Sequence, residues 1–253
     1  MGIGIVQAQD NTCPELVEDA LSAVDEMCEN LGRNQVCYGN NRLEAIFATD
    51  TAFEKPGDIA ALEDVETLTL SGMDIESSVW GIALLAMQAN LPDTSPGQKV
   101  TFVMFGDVTM ESAVEDLDAE DTEFAAPMQA FYFTSGIGEV GCAEAPQSGL
   151  LVQTPEGVGE VMFTTNGVEV GLGSTAFLQA EPGGDMIVSV VEGQATLTAF
   201  GVSVTVPAGA LSRIQLDEDG FAVAAPEDIQ PYDLEDLNAL PIVLLEREIE
   251  IAP

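Results

Sequence analysis

A stretch of this chain recurs almost intact. Pro96 to Met110 reads Pro-Gly-Gln-Lys-Val-Thr-Phe-Val-Met-Phe-Gly-Asp-Val-Thr-Met; Pro182 to Leu197 reads Pro-Gly-Gly-Asp-Met-Ile-Val-Ser-Val-Val-Glu-Gly-Gln-Ala-Thr-Leu. One inserted residue before the second Gly keeps the copies in step. Each copy is a Pro-Gly turn, an apolar run of strand length, a Gly turn and a short alternating strand. Upstream, Gly81 to Leu84 and Gly167 to Val170 also fall into line. Self-similarity at this spacing predicts two related β modules in tandem.

The charge balance narrows what such modules can bind. Forty-four acidic residues face six basic ones, for a formal charge of −38 over 253 residues. That field repels phosphate backbones and anionic bilayers, which excludes nucleic acid as a partner, and it attracts cations. It also strains the compact state unless salt or divalent ions screen it, so calcium is the one ion that composition suggests as a cofactor. The chain has no His. The commonest general base, the Ser-His and Cys-His pairs and the usual zinc ligand are therefore missing. Carboxylate-only glycoside cleavage is still open to an acidic chain, but a sugar cleft needs aromatics, which are 6% here.

The texture along the chain divides it. Residues 1–8 read as the remnant of a secretory signal, with Val6 and Ala8 in the small-residue pattern that a signal peptidase reads. Residues 9–34 form a helical head. From Pro14 to Leu31 apolar residues fall at Leu16, Val17, Ala20, Leu21, Val24, Met27, Cys28 and Leu31, the spacing of one buried helical stripe. Thr12 or Asn11 caps it and Gly32 ends it. Residues 35–135 then read as a first β module, 136–148 as a Gly- and Pro-rich connector and 149–225 as a second β module. Residues 226–253 are a Pro-punctuated tail, whose apolar run Ile242 to Leu245 is expected to pack back as an edge strand. No apolar run approaches the roughly 20 residues of a membrane-crossing helix.

Cys13, Cys28, Cys37 and Cys142 make an even set, which suggests two disulfides and an oxidising compartment. A continuous helix places Cys13 and Cys28 roughly 22 Å apart, whereas a disulfide spans about 4.4–6.8 Å between Cα atoms. That disfavours Cys13–Cys28. Cys28–Cys37 with Cys13–Cys142, and Cys13–Cys37 with Cys28–Cys142, both stay open.

Residues 157–216 carry a more specific pattern. It runs from Asn166-Gly167-Val168-Glu169-Val170 and Gly173-Ser174-Thr175-Ala176-Phe177-Leu178 through Val191-Glu192-Gly193-Gln194-Ala195 to Val204-Thr205-Val206-Pro207-Ala208-Gly209. This stretch resembles the FecR-like β domain of bacterial envelope proteins, and residues 80–110 match the same frame more loosely. The resemblance implies an address outside the cytoplasmic membrane. Its best-known members relay receptor occupancy to a sigma regulator; no segment here matches their regulator-binding part. The family supplies no catalytic residues.

The expectation is thus a mainly β chain: two tandem FecR-like modules, sandwiched or rolled, behind one N-terminal α-helix. Its function is expected to be non-catalytic, a secreted or surface structural and interaction module that contacts envelope proteins or itself. An extracytoplasmic sensing module is the alternative, and a carboxylate-dependent glycan-active enzyme the second. Asp116, Asp118, Glu120 and Asp121 are the calcium candidates, since Ca²⁺ takes six to eight oxygens. Their run lacks the EF-hand layout, and a solvated acidic loop explains it as well. Asp217 to Gly220 reads as a hairpin turn.

Overall fold

The structure is a computed structural model that describes residues 12–88, 99–113, 127–136, 142, 144–157 and 159–253. One helix, α1 (Cys13–Cys28), precedes the strands. The first half of the chain supplies β1 (Gln35–Asn40), β2 (Leu43–Phe47), β3 (Ile59–Ala61), β4 (Val65–Leu70), β5 (Ile82–Met87), β6 (Val100–Phe105), β7 (Val108–Ser112) and β8 (Ala130–Ser135). The second half supplies β9 (Gly149–Gln153), β10 (Val161–Thr165), β11 (Val168–Leu172), β12 (Thr175–Ala180), β13 (Asp185–Glu192), β14 (Gln194–Ala199), β15 (Val202–Pro207), β16 (Ala210–Gln215) and β17 (Gln230–Pro231).

Two patterns of hydrophobicity sort these strands into two sheets. β5, β6, β9 and β12 are unbroken runs, buried at every position. They lie side by side in a nine-stranded sheet ordered β17-β16-β13-β12-β9-β6-β5-β1-β3. β4, β7, β10 and β14 instead mix apolar residues with Thr and Glu, and they belong to an eight-stranded sheet ordered β15-β14-β11-β10-β8-β7-β4-β2. An unbroken run suits a strand covered on both faces, an interrupted one a strand with a wet face. The main core fills the space between the sheets, with Phe102, Phe131 and Phe163 in mutual ring contact at its centre.

The repeat is visible as a repeat of pairings. β1–β5, β2–β4, β5–β6, β4–β7, β7–β8 and β6–β9 are antiparallel pairs in the first half. β9–β12, β10–β11, β12–β13, β11–β14, β14–β15 and β13–β16 reproduce them in order. β9 serves twice, closing the first set and opening the second, so both sheets run unbroken through both copies. The one parallel contact among the described residues, β8 against β10, is the seam of the eight-stranded sheet. Gly106 (φ 80) and Gly193 (φ 71) hold equivalent corners, where the chain leaves one sheet for the other. A Cβ at Gly106 would strike Ser148, and one at Gly193 would strike Ser174. Only Gly meets both demands.

The upstream alignment of the repeat needs correction. Gly81 to Leu84 leads into β5 of the nine-stranded sheet, whereas Gly167 to Val170 leads into β11 of the other. By pairing, the counterpart of β5 is β12. The connection from β5 to β6 (88–99) is longer than that from β12 to β13 (181–184), and the extra residues shift the register.

The outer face of the nine-stranded sheet is also covered. α1 starts with a capping box, in which the Glu15 carboxylate accepts from the Thr12 N–H (3.0 Å), and Pro14 occupies its first turn. It buries Leu16, Ala20, Val24 and Cys28, the core of the expected stripe. It ends at Cys28, before Gly32, where the Cys28–Cys37 disulfide ties it to β1. Cys13 is bonded to Cys142, with 6.0 Å between Cα atoms. Farther along this face the C-terminal segment buries Leu237, Leu240, Leu244 and Leu245 over Leu84, Leu151, Phe177 and Val191. Ile242 to Leu244 is a turn of 3-10 helix lying on the sheet, not the expected edge strand. Pro241, held at φ −75, lacks the N–H a strand would use, and the turn sends Leu244 down and leaves Val243 62% exposed.

Candidate functional site

Three places concentrate polar or unpaired groups: a clamp under the C-terminal segment, the seam between the copies, and the open edges of the eight-stranded sheet.

The clamp is built from the motif residues of the second copy. Ser174 precedes β12, Thr175 opens it, and Glu192 ends β13 opposite Thr175. Both hydroxyls donate to the Glu192 carboxylate, at 2.5 and 3.2 Å. Arg247, arriving from the C-terminal segment, donates to both Glu192 oxygens, at 2.7 and 2.6 Å. The Gln153 side chain then bridges to the Arg247 backbone in both directions, at 2.9 Å each. Next to it Lys99 pairs with Glu246 at 2.7 Å and donates to the Leu31 carbonyl at 2.8 Å. The guanidinium hydrogen bonds hold the Glu192 carboxyl below its ordinary range against a smaller opposing effect of burial, and they raise Arg247 in turn. A cavity of about 380 Å³ beside the clamp is lined by Lys99, Thr101, Gln153, Glu156 and Arg247.

The chemistry of the clamp is that of a fastener. Glu192 is held ionised by a bidentate partner, and Glu15 and Asp74 are likewise lowered, by the Thr12 N–H and by the Ser77 hydroxyl. A general acid for glycoside cleavage needs the opposite displacement. Of the six basic residues, Lys99, Arg213 and Arg247 form ion pairs among the described residues. In the first copy Phe105 stands where Glu192 stands in the second, and it stacks on Phe177 instead.

The seam is completed by Asn166. β8 and β10 pair over only two positions, Ala130 with Thr164 and Phe131 with Thr165. Beyond them β10 turns away at Asn166 (φ 54) and Gly167 (φ 78) in a type I′ hairpin. The Asn166 side-chain amide takes over the missing rung. It accepts from the Phe133 N–H at 3.0 Å and donates to the Phe133 carbonyl at 2.8 Å. It also donates to the Gly220 carbonyl at 2.7 Å, fastening the hairpin turn 217–220 of the second copy to β8 of the first. In that turn Asp217 accepts from the Asp219 and Phe221 N–H groups, as its sequence suggests. The Asn-Gly pair entered the sequence reading only through the resemblance, which signalled neither its turn nor the bridging.

The eight-stranded sheet is open in three directions among the described residues. Its outer face shows Thr69, Thr109, Thr134, Thr196 and Thr198 between Glu111 and Glu169, with no layer over it. Its end strands pair on one side only, β2 with β4 and β15 with β14. Exposed large apolar side chains mark both ends: Ile46 on β2 (57%), and Phe200 (67%) and Val202 (45%) at the start of β15.

The calcium candidates Asp116, Asp118, Glu120 and Asp121 lie outside the described residues, as do residues 1–8. Among the described residues the one cluster with metal-ligand spacing is Cys13, Cys142 and Glu144, and its two sulfurs are spent in a disulfide. No described helix is long and apolar enough to cross a membrane.

No protein-family model matches the chain, and no curated protein matches it. Among solved structures it is similar to a "putative anti-sigma factor from Parabacteroides distasonis ATCC 8503", at 12% identity and a TM-score of 0.35. That match covers 62% of this chain and 63% of the other. At this score the likeness carries no weight for fold or function.

Proposed function

We propose that this chain is a non-catalytic interaction module of the cell envelope or extracellular space, acting through contact with other proteins there or with itself. The observation that carries the reading is an asymmetry. One sheet is covered on its outer face by α1 and the C-terminal segment and ends in the short strands β3 and β17, while the other, among the described residues, keeps an uncovered face and ends in the longer strands β2 and β15. Fastening a helix and a tail with two disulfides and a charged clamp is what a one-sided display scaffold requires. The disulfides suit an oxidising compartment, and the polar clusters of the sealed side are consumed in holding it together.

A FecR-like sensing module is the second reading. What favours it is that Gly173, Ser174, Thr175, Glu192 and Gly193, the residues of the resemblance, meet at one corner. Fractionation of the native cell with in situ crosslinking tests the main reading. Recovery in the envelope or medium, crosslinked to proteins of that compartment, is expected; a cytoplasmic monomer would refute it. Crosslinks to an outer-membrane receptor or a sigma regulator would select the sensing reading instead.

A further inference from the structure

We infer that the cover of the nine-stranded sheet carries a binding groove of its own, between α1 and the 3-10 turn Ile242–Leu244, for a helical partner segment whose apolar anchors are flanked by Lys or Arg. The inference goes beyond the reading above, which rests on the uncovered sheet, and it is tested separately.

The groove follows from how α1 is patterned. The helix sends Leu16, Ala20, Val24 and Cys28 into the core. Pro14, Val17 and Leu21, at i, i+3 and i+7, form a second and shallower stripe beside that face. Val17 and Leu21 are half-buried, packed on the margin of the core that the C-terminal segment covers. Across from them the turn at Pro241 leaves Val243 exposed. These four side chains line a cavity of about 470 Å³. Its helical wall is fixed before anything binds. Cys28–Cys37 staples one end of α1 to β1. Cys13–Cys142 staples the other end and brings a Glu144 carboxylate oxygen within 4.8 Å of both sulfurs, at the end of the groove. A wall held at both ends loses little freedom on binding.

Charge sets what fits. The acids of the lining are Glu18, Asp25 and Glu144, with no base among them, and none of the three is in an ion pair among the described residues. An apolar strip rimmed by polar groups marks an interaction surface. The placement of acids along α1 is a second observation. Asp25 and Glu26 sit in its last turn and Glu29 caps it, with no base there. Anions at that end of the macrodipole destabilise a helix. Lys99, which shares a neighbouring cavity with Asp25 and Glu29, is spent on Glu246 and the Leu31 carbonyl. A cation brought by a partner accounts for acids that cost α1 stability on their own. Glu18 and Asp25 stand two turns apart, about 10 Å along the axis. A helix laid against α1 meets them with Lys or Arg at the same interval and sets apolar residues between against Val17, Leu21 and Val243. A second copy, itself charged −38, is repelled from the same rim.

Fluorescence anisotropy of a labelled peptide tests this on the full chain, in 0.15 M NaCl, where charges beyond about 8 Å are screened. The probe is a capped helix of Leu and Lys, about two heptads long, with Leu on one face. The wild type should bind it, and the double variant Val17→Thr, Val243→Thr should bind about tenfold more weakly with an unchanged circular dichroism spectrum. That variant keeps shape and charge, so equal binding would show that the net charge alone collects the peptide, and the groove assignment would fall. A probe with every Lys replaced by Gln should also bind about tenfold more weakly; equal binding would make this a site for apolar ligands of any charge and overturn the basic partner. Asp25→Asn should weaken binding about twofold to fivefold while raising the thermal midpoint of the free chain by about 1–4 °C. A fall in both would mean that Asp25 serves the fold and not a partner. A wild type that does not bind, or one that dimerises where the double variant stays monomeric, overturns the inference and leaves the crosslinking test of the interaction reading untouched.

Discussion

Removing the Asn166 side chain should cost more than its position in a turn suggests. Asn166→Gly keeps the positive φ that the hairpin needs but orphans the Phe133 N–H, the Phe133 carbonyl and the Gly220 carbonyl, all bonded to that amide. Asn166 is 1% exposed and Phe133 is equally buried, so water reaches these groups poorly. At about 1–3 kcal/mol per buried unsatisfied group, with some relief from entering water, the loss is about 3–5 kcal/mol. For a domain of this size each kcal/mol moves the midpoint by about 2–4 °C, hence a fall of roughly 6–20 °C. Asn166→Ala adds left-handed strain and should lose about 1 kcal/mol more. Urea unfolding of the three proteins side by side measures both differences. A Gly variant within about 1 kcal/mol of wild type would show that the amide does not complete the seam, and the account of how the copies join would fall with it.

Other consequences follow from the sealed side. Glu192 is held below its ordinary range, so its pairing with Arg247 stabilises the fold above the unfolded carboxyl value, about 4.3, and is lost as pH falls through the lower folded value. Both side chains are about a third exposed, which limits the expected loss in Arg247→Met to about 1 kcal/mol at pH 7; the gap from wild type should close in acid, and a gap independent of pH would refute the assignment. Replacing Cys13 and Cys142 together by Ala opens a link of sequence separation 129, against 9 for Cys28–Cys37, and loop entropy puts the two at about 5 and about 2.7 kcal/mol. Chemical denaturation of the two double variants should rank them in that order. Leu244→Ala, under the C-terminal segment, should cost about 2–4 kcal/mol in the same assay and raise dye binding to the uncovered sheet face. Calcium and monovalent salt at matched ionic strength should stabilise the chain equally if its charge is only being screened; a calcium-specific shift in the melting curve would reveal an ion site.

What the residues disclosed about themselves depended on how local the determining physics is. The α1 stripe, a cap at Thr12 or Asn11 and the disfavouring of Cys13–Cys28 are consequences of helical rise and spacing, and each was legible, with Thr12 the cap that the fold uses. Repeat copies were legible where a Gly corner was forced, at Gly106 and Gly193, and misaligned upstream of an unequal connection, because pairing and not sequence distance sets the counterpart of β5. The unbroken runs of β5, β6, β9 and β12 announced burial on both faces without saying what covers the second face. That cover, the C-terminal segment, was misread at Ile242 to Leu245, where an apolar tetrapeptide suits a strand or a turn equally and Pro241 decides. The clamp was partly legible: Ser174, Thr175 and Glu192 stood out by resemblance, but Arg247, more than fifty residues on, carried no signal beyond being one of six basic residues. Asn166 stood out only within the resemblance, and nothing in it disclosed the rung of the sheet that it completes.

The claim that the uncovered eight-stranded sheet is a working surface is tested most directly by amide hydrogen exchange on the full chain, alone and with the proteins it crosslinks to in the cell. Slowing at the outward amides of β2 and β15, Ser203 and Thr205 among them, with β9 equally protected in both samples, is the predicted result. Unchanged exchange throughout that sheet, or slowing confined to the α1 and C-terminal side, would contradict it.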